Sequence, residues 1–457
     1  MTTESKGPAE AGDPAGAGAI APAAAWPGFS VARLPRILFG AGRSRELGAV
    51  VGEFGRNVLA VVRGPSFTAS PDWARLLAGL EAGGASVTVE SVSGEPSPAL
   101  VDEIVVRHRS GGSGGSGGSA ASPGGAPGSA TRDAAPAISK FDVVVGIGGG
   151  SVLDTAKAVA GLLVPGNSVM DHLEGVGPEL PYRGPSVPFI AVPTTAGTGS
   201  EATKNSVLST RGPDGFKKSF RDEALVARVA IVDPDLLASC PAELIAGNGM
   251  DALTQLLESY LSTRANPFTD ALALSGLACI RDGLAPWYRE ALAGRGAAGA
   301  GSVAAAARER MAYAALCSGI CLAQAGLGSV HGLASPLGAQ CPIPHGVACG
   351  ATLAAATRVN IAALESRDPE NVALSRYAAA GWILSGVAGA TDAEARAALV
   401  PALTQLTARL GIPRLSAFGI TEASIPALVA DARGSSMKTN PVVLTDIEIA
   451  AVLRASL

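Results

Sequence analysis

The run FDVVVGIGGGSVLDTAKAVAGLL, Phe141 to Leu163, reads as strand, turn and helix in succession. Phe141 to Ile147 is, but for Asp142, an apolar run rich in valine, the pattern of a strand buried on both faces. From Ser151 to Leu163 the apolar residues take helical spacing. Between them Gly148, Gly149, Gly150 and Ser151 let the backbone approach a ligand closely. The free N–H groups and dipole at the helix start suit a pyrophosphate. Asp154 and Lys157 fall on the first turns of that helix. The glycine spacing is not G-x-G-x-x-G, and the strand comes late in the chain rather than first. A tight strand–helix turn with no ligand is the plainer alternative.

Working outward, the same alternation recurs on the N-terminal side. Arg36 to Gly40, Asn57 to Val62 and Ser86 to Val92 read as strands, and Arg45 to Gly55, Trp73 to Ala82 and Pro98 to His108 as helices. On the C-terminal side Phe189 to Val192 and Val229 to Val232 are short buried strands. Strands alternating with helices imply a parallel sheet covered on both faces. A second ligand-facing loop, PTTAGTGSE from Pro193 to Glu201, follows a strand as the first does. It offers the hydroxyls of Thr194, Thr195, Thr198 and Ser200. Two such loops point to one crevice at the carboxyl edge of the sheet, although a Ser/Thr/Gly turn without a ligand also accounts for the second.

Beyond Asp233-Pro234 long Ala- and Leu-rich helical patterns dominate, so the second half is expected to be an all-α bundle of roughly 220 residues. Residues 1–28 are Ala, Gly and Pro with little to bury, and are expected to form a disordered tail. Residues 110–137 repeat Gly-Gly-Ser and are expected to be a flexible insertion. The reading is therefore a tail, an α/β domain over 29–235 interrupted by the insertion, and a helical domain over 236–457.

The helical half contains SVHGLASPLGAQCPIPHG, Ser329 to Gly346, with His331 and His345 each followed by glycine. Upstream, GMDALTQLLESY places Asp251 at the start of a helical pattern. Two imidazoles and a carboxylate are a donor set for a divalent transition metal. The six cysteines, Cys240, Cys279, Cys317, Cys321, Cys341 and Cys349, are scattered through apolar runs and read as reduced, mostly buried thiols. A net charge of −4 with 4% aromatic residues gives no footprint for nucleic acid. No uninterrupted apolar run reaches about 18 residues, so no membrane span is expected. The N-terminal residues lack the basic start and apolar run of a signal peptide, which makes the cytoplasm the expected compartment.

Taken in order, GGGSVLDTAKA, PTTAGTGSE, the GMDAL helix and the HG…PHG pair resemble the iron-containing (group III) alcohol dehydrogenase family. Glycerol dehydrogenase and maleylacetate reductase belong to it, and dehydroquinate synthase is a distant relative. The resemblance runs from about Arg36 to the end of the chain, where Asn440-Pro441 precedes a last helix. It implies an α/β dinucleotide-binding domain with a parallel sheet, then an all-helical domain carrying a metal. It further implies that Gly148, Gly149, Gly150 and Ser151 hold the pyrophosphate, with Asp154, Lys157, Thr194, Thr195, Thr198, Asn205 and Lys217 also serving the cofactor. The metal, Fe2+ or Zn2+, would be held by Asp251, His331, His345 and the residue four after Asp251. That residue is Gln255, where most relatives have histidine. Ser335 likewise stands where relatives often have a second cleft histidine. His108 and His172 match no family ligand and are expected at the surface or behind the site.

The implied activity is NAD- or NADP-dependent alcohol dehydrogenation or aldehyde reduction, a metal-assisted hydride transfer at nicotinamide C4. Many NAD-using relatives carry a carboxylate after the second strand; here Val62-Arg63-Gly64 offers an arginine that can face a 2′-phosphate or simply point to water. Gln255 and Ser335 keep open a metal-independent enzyme of the maleylacetate reductase type. A dehydroquinate-synthase-like lyase and a non-catalytic nucleotide-binding relative are further readings. The implied partner is a small alcohol or aldehyde, and the family's habit of assembly implies a homo-oligomer.

Overall fold

The computed structural model describes residues 28–109, 139–212, 215–296, 298–299 and 301–457. The tail, but for its last residue, and the 110–137 insertion lie outside these. The α/β half runs β1 (Arg36–Phe39), α1 (Leu47–Gly52), β2 (Asn57–Arg63), α2 (Pro65–Thr68), α3 (Pro71–Ala82), β3 (Ser86–Val92), α4 (Pro98–His108), β4 (Val143–Gly148), α5 (Gly150–Leu162), β5 (Phe189–Pro193), β6 (Asn205–Thr210), β7 (Phe216–Arg221) and β8 (Val229–Val232). The helical half follows as α6 (Ala242–Leu261), α7 (Pro267–Leu292), α8 (Val303–Ala325), α9 (Ser329–Gln340), α10 (His345–Arg367), α11 (Val372–Ser385), α12 (Asp392–Arg409), α13 (Ile425–Asp431) and α14 (Asp446–Ser456).

Six strands form one sheet in the order β1-β8-β5-β4-β2-β3, and every pairing is parallel. Side chains of β2 and β4 alternate between two cores. Leu59, Val61 and Val144 face α4 and α5. Val58, Ala60, Val62, Val143, Val145 and Ile147 face α1 and α3. Both faces are dry, which is why these strands read as unbroken apolar runs. From β2 the chain steps outward to β3, then returns to place β4 on the other side of β2 and continues away through β5. The winding direction therefore reverses between β2 and β4. A crevice opens at their carboxyl ends, where Val62 of β2 pairs with Ile147 of β4.

Two features differ from the expected elements. β6 and β7 pair antiparallel as a separate two-stranded sheet, where the sequence pattern shows no strands. Their residues, NSVLST and FKKSFR, mix polar and apolar side chains without clean alternation. The Gly-Pro-Asp-Gly between them is the available hairpin signal. The other difference is α6, which begins at Ala242, so Asp251 sits mid-helix rather than at its start. Gly247 and Gly249 obscure those first turns because glycine is a poor helix former. Gly346 has a counterpart reason: a Cβ there would lie 2.1 Å from the Gly247 carbonyl oxygen. The glycine after His345 is what lets α10 start directly against α6.

Every residue of α6 from Gly249 to Leu261 is buried, against α7, α8 and α10. A helix buried on all sides is a core helix, so Asp251 and Glu258 on it must be paired. α10 is long and apolar enough to cross a membrane by length and composition, but 67% of its most apolar window is buried within the fold. That is the signature of a core helix.

Candidate active site

At the β2/β4 crevice the chain leaves β4 through Gly149, whose extended backbone precedes the first helical residue, Gly150. No side chain caps α5, which leaves its start free for an anion. A Cβ on Gly150 would lie 2.6 Å from Thr198 Cγ2, and one on Gly149 would lie 3.1 Å from Thr195 Oγ1. The two glycine-containing loops thus lie against each other, and the Thr194 amide ties them by donating to the Gly148 carbonyl at 2.9 Å. The second loop also reaches the helical half. Gly199 has φ +60°, and a Cβ on it would lie 2.4 Å from Gly319 Cα in α8. Only glycine fits that backbone and that contact.

The family resemblance implies that Asp154 and Lys157 serve the dinucleotide; the structure gives them a bracing task inside the protein. Lys157 is wholly buried and its ammonium donates to Ser200 O, Ser200 Oγ, Thr203 Oγ1 and Asn205 O at 2.6–3.0 Å. Asp154 accepts from Ser200 Oγ at 2.5 Å and from the Val207 amide at 3.1 Å. Burial pushes the Asp154 carboxyl up and the Lys157 ammonium down, and their approach to 3.6 Å opposes both shifts. Together they pin the start of β6 and the second loop onto α5. Asn205 contributes its carbonyl to this network. Lys217 lies on β7 near the helices, and its carbonyl accepts from Ser335 at 3.3 Å.

The donor atoms converge beneath that loop. His331 stands in the first turn of α9, His345 opens α10, and Asp251 comes from α6. Asp251 Oδ1 lies 3.3 Å from His331 Nε2 and 3.7 Å from His345 Nε2. Cys349, one turn after His345, joins them: one donor atom from each of the four residues lies within 4.8 Å of the others. Behind His331, Glu258 accepts from Nδ1 at 2.7 Å and from the Val330 amide at 2.6 Å. One carboxylate thus caps the free amides at the start of α9 and fixes the ring. Because a carboxylate only accepts, Nδ1 carries a proton, and Nε2 is the ring atom turned toward Asp251.

The electrostatics suit a cation. Burial raises the Asp251 carboxyl, but His345, His331 and Lys217 outweigh it and hold Asp251 below its ordinary value. Burial, reinforced by Lys217, pushes His345 down to about 3, which leaves a neutral imidazole with a free lone pair. For His331 burial opposes the charge, but Cys349, Asp251 and Glu258 raise it well above its ordinary value. The set fits a divalent metal: two imidazoles, a carboxylate and a thiol, with one ring oriented from behind.

Comparison with known proteins identifies the family. The family profile described as iron-containing alcohol dehydrogenase matches residues 130–234. That of the Fe-containing alcohol dehydrogenase family, C-terminal, matches residues 245–457. Long-chain-alcohol dehydrogenase 1 of Geobacillus thermodenitrificans (strain NG80-2) is 36% identical over 321 residues, 69% of this chain and 75% of the relative. The chain belongs to the iron-containing alcohol dehydrogenase family. The NAD-dependent methanol dehydrogenase of Bacillus methanolicus is 32% identical over 319 residues, covering 69% of this chain and 77% of that one. A crystal structure of 1,3-propanediol oxidoreductase superposes with a TM-score of 0.75 at 26% identity, covering 94% of this chain and all of the other. This family member is accordingly an alcohol oxidoreductase.

Against its family pattern, this alcohol dehydrogenase differs where the sequence does. Gln255 is buried on α6, and its side-chain oxygen accepts from the Ser318 hydroxyl at 2.7 Å. By sequence Cys349 is one more core thiol; its place four residues after His345, on the same helix face, is the signal that could draw it out. Glu258 escapes the sequence reading too, although it falls seven residues after Asp251 on the same face of α6. His108 is buried against Glu90 at 2.5 Å rather than lying at the surface. His172 stacks on Phe220. Neither belongs to the cluster. In the dehydrogenase, Glu258→Gln should loosen the hold on metal by about 10–100-fold by freeing the His331 ring. Competition with a chelator of known affinity measures this, and an unchanged affinity removes Glu258 from the site.

Proposed function

We propose that this protein interconverts a small alcohol and its aldehyde or ketone, with a nicotinamide dinucleotide as hydride partner and a divalent metal at Asp251, His331 and His345. The observation that carries this reading is one of placement. The Gly149–Gly150 turn packs on Thr195 and Thr198, and the same second loop packs against α8 at Gly319 and against α6 at Asn248, three residues before Asp251. A metal there acts as a Lewis acid on the substrate oxygen, and the nicotinamide supplies or accepts the hydride. The glycine loops hold the pyrophosphate at the start of α5, while Thr195 and Thr198 line its approach. Glu258 keeps His331 aimed, and the packed faces of α6, α9 and α10 exclude water. His345 is the most exposed of these three donors, its side chain 28% exposed, so the substrate approaches from its side.

The nucleotide is proposed to be NADP. Arg63 ends β2 at the crevice with an exposed side chain, and no carboxylate accompanies it in Val62-Arg63-Gly64. An arginine in this place matches a 2′-phosphate, as a carboxylate would match ribose hydroxyls.

The test is oxidation of NADPH and NADH with a panel of short aldehydes, before and after chelation. Metal-dependent turnover that favours NADPH is expected. Arg63→Asp should shift the preference toward NADH by at least about tenfold, or 1.4 kcal/mol. Turnover indifferent to chelation overturns the metal's role, and dinucleotide binding without turnover of any aldehyde overturns the activity.

A further inference from the structure

The cluster contains a donor that the family pattern does not supply. Cys349 Sγ lies 3.8 Å from Asp251 Oδ1, 3.8 Å from His331 Nε2 and 3.9 Å from His345 Nε2. With the two imidazole–carboxylate distances of 3.3 and 3.7 Å, five edges of a four-cornered figure are set. Zinc bonds of roughly 2.0–2.3 Å at tetrahedral angles give ligand–ligand edges of about 3.3–3.7 Å. The edges to sulfur are the longest, as its longer bond requires. The four atoms are thus spaced to share one small cation with little movement.

Gln255 has no such place. It follows Asp251 by one helical turn, but its oxygen lies 2.7 Å from the Ser318 hydroxyl, whose single proton it shares with the Ala315 carbonyl at 2.8 Å. To ligate, the amide would give up its share of that buried hydrogen bond for a bond from a weak neutral donor. Cys349 has no such competing tie among the described residues: the polar groups near its sulfur are the other three donors. Its side chain is fully buried among them.

We propose that Cys349, not Gln255, is the fourth ligand in this protein, and that the resulting set of two histidines, one aspartate and one cysteine takes zinc in preference to iron. The inference rests on the metal-dependent reading above. Thiolate is a soft donor, and a tetrahedral set mixing sulfur with nitrogen is the environment that selects zinc. On binding, the thiol gives up its proton to solvent as the sulfur–metal bond forms. The lost imidazole at position 255 is thereby compensated from α10, one turn beyond His345.

Cobalt(II) reports on this without recourse to turnover, because a thiolate bound to it gives an intense near-ultraviolet charge-transfer band that nitrogen and oxygen ligands do not. The full chain is stripped, reconstituted with cobalt and compared with Cys349→Ser and Gln255→Ala. The native protein and Gln255→Ala should show the band, while Cys349→Ser should lose it yet keep its circular dichroism. Supplied with equal iron and zinc, the native protein should retain at least about tenfold more zinc, a preference that narrows in Cys349→Ser. Cobalt bound without the band, or a band surviving in Cys349→Ser, overturns Cys349 as a ligand and leaves the alcohol oxidoreductase reading intact. A native chain that takes up none of the three metals overturns the proposal and the metal centre with it. If Cys349→Ser does not fold, Cys349→Ala and the native chain's own band decide the matter by the same criterion.

Discussion

Asp251→Ala should leave the purified protein with background metal and reduce aldehyde turnover by about three orders of magnitude or more, some 4 kcal/mol of barrier. Among the described residues the carboxylate is the one full negative charge within bonding reach of both imidazoles, at 3.3 and 3.7 Å. Without it, two imidazoles and a thiol that burial pushes up to about 11 remain. Such a set has little to offer a divalent ion at neutral pH. His331 also loses the carboxylate on its Nε2 side, keeping Glu258 at Nδ1 and the Cys349 sulfur 3.8 Å from Nε2. Metal per chain by elemental analysis, alongside kcat for the best aldehyde, measures both consequences. A variant with native metal and native kcat would remove Asp251 from the site.

Lys157→Met should destabilise the fold by about 3–5 kcal/mol, the usual cost of stripping one partner from a buried charged network. Four oxygen atoms lose a charged donor at once, and Asp154 is left buried with no cation at 3.6 Å. Because this network locks the second loop onto α5, dinucleotide affinity should fall as well. Removing both charges, in Lys157→Met with Asp154→Asn, should recover part of the stability, since the two residues are in contact and couple. Denaturant unfolding of the native chain and the two variants gives the numbers. A loss in Lys157→Met below about 1 kcal/mol would mean the lysine is not sustaining the loop pair.

What can be read from the sequence divides along physical lines. The parallel sheet is legible because strands buried on both faces have no polar alternation to confuse them, as in Val143–Ile147. The glycine loops are legible because a backbone that must approach a ligand or another helix excludes side chains, as at Gly150 and Gly199. The antiparallel pair Asn205–Thr210 and Phe216–Arg221 is hidden because a half-exposed hairpin mixes its faces. Asp251, His331 and His345 stand out by residue type. Cys349 and Glu258 do not. A cysteine in an Ala-rich helix looks like core until its neighbours in space are known, and a glutamate on a helix looks like surface. The contacts that reveal them join α6 to α9 and α10, some 70 to 100 positions apart along the chain, and no local pattern encodes that distance. Lys157 is the opposite case: the family position implies a ligand contact, whereas its burial makes it a brace.

The groups proposed for the dinucleotide and the groups proposed for the metal sit on different scaffolds. Gly148–Ser151, Thr195, Thr198 and Arg63 belong to the ends of sheet strands, whereas Asp251, His331, His345 and Cys349 belong to three helices beyond residue 241. Coenzyme choice and metal choice can therefore drift separately under selection, each by one or two substitutions that leave the other scaffold untouched. A lineage of this architecture can change which reductant pool it draws on without relearning how to hold its cation, and an engineer can exchange one half for a relative's with the Gly199–Gly319 contact as the seam to preserve.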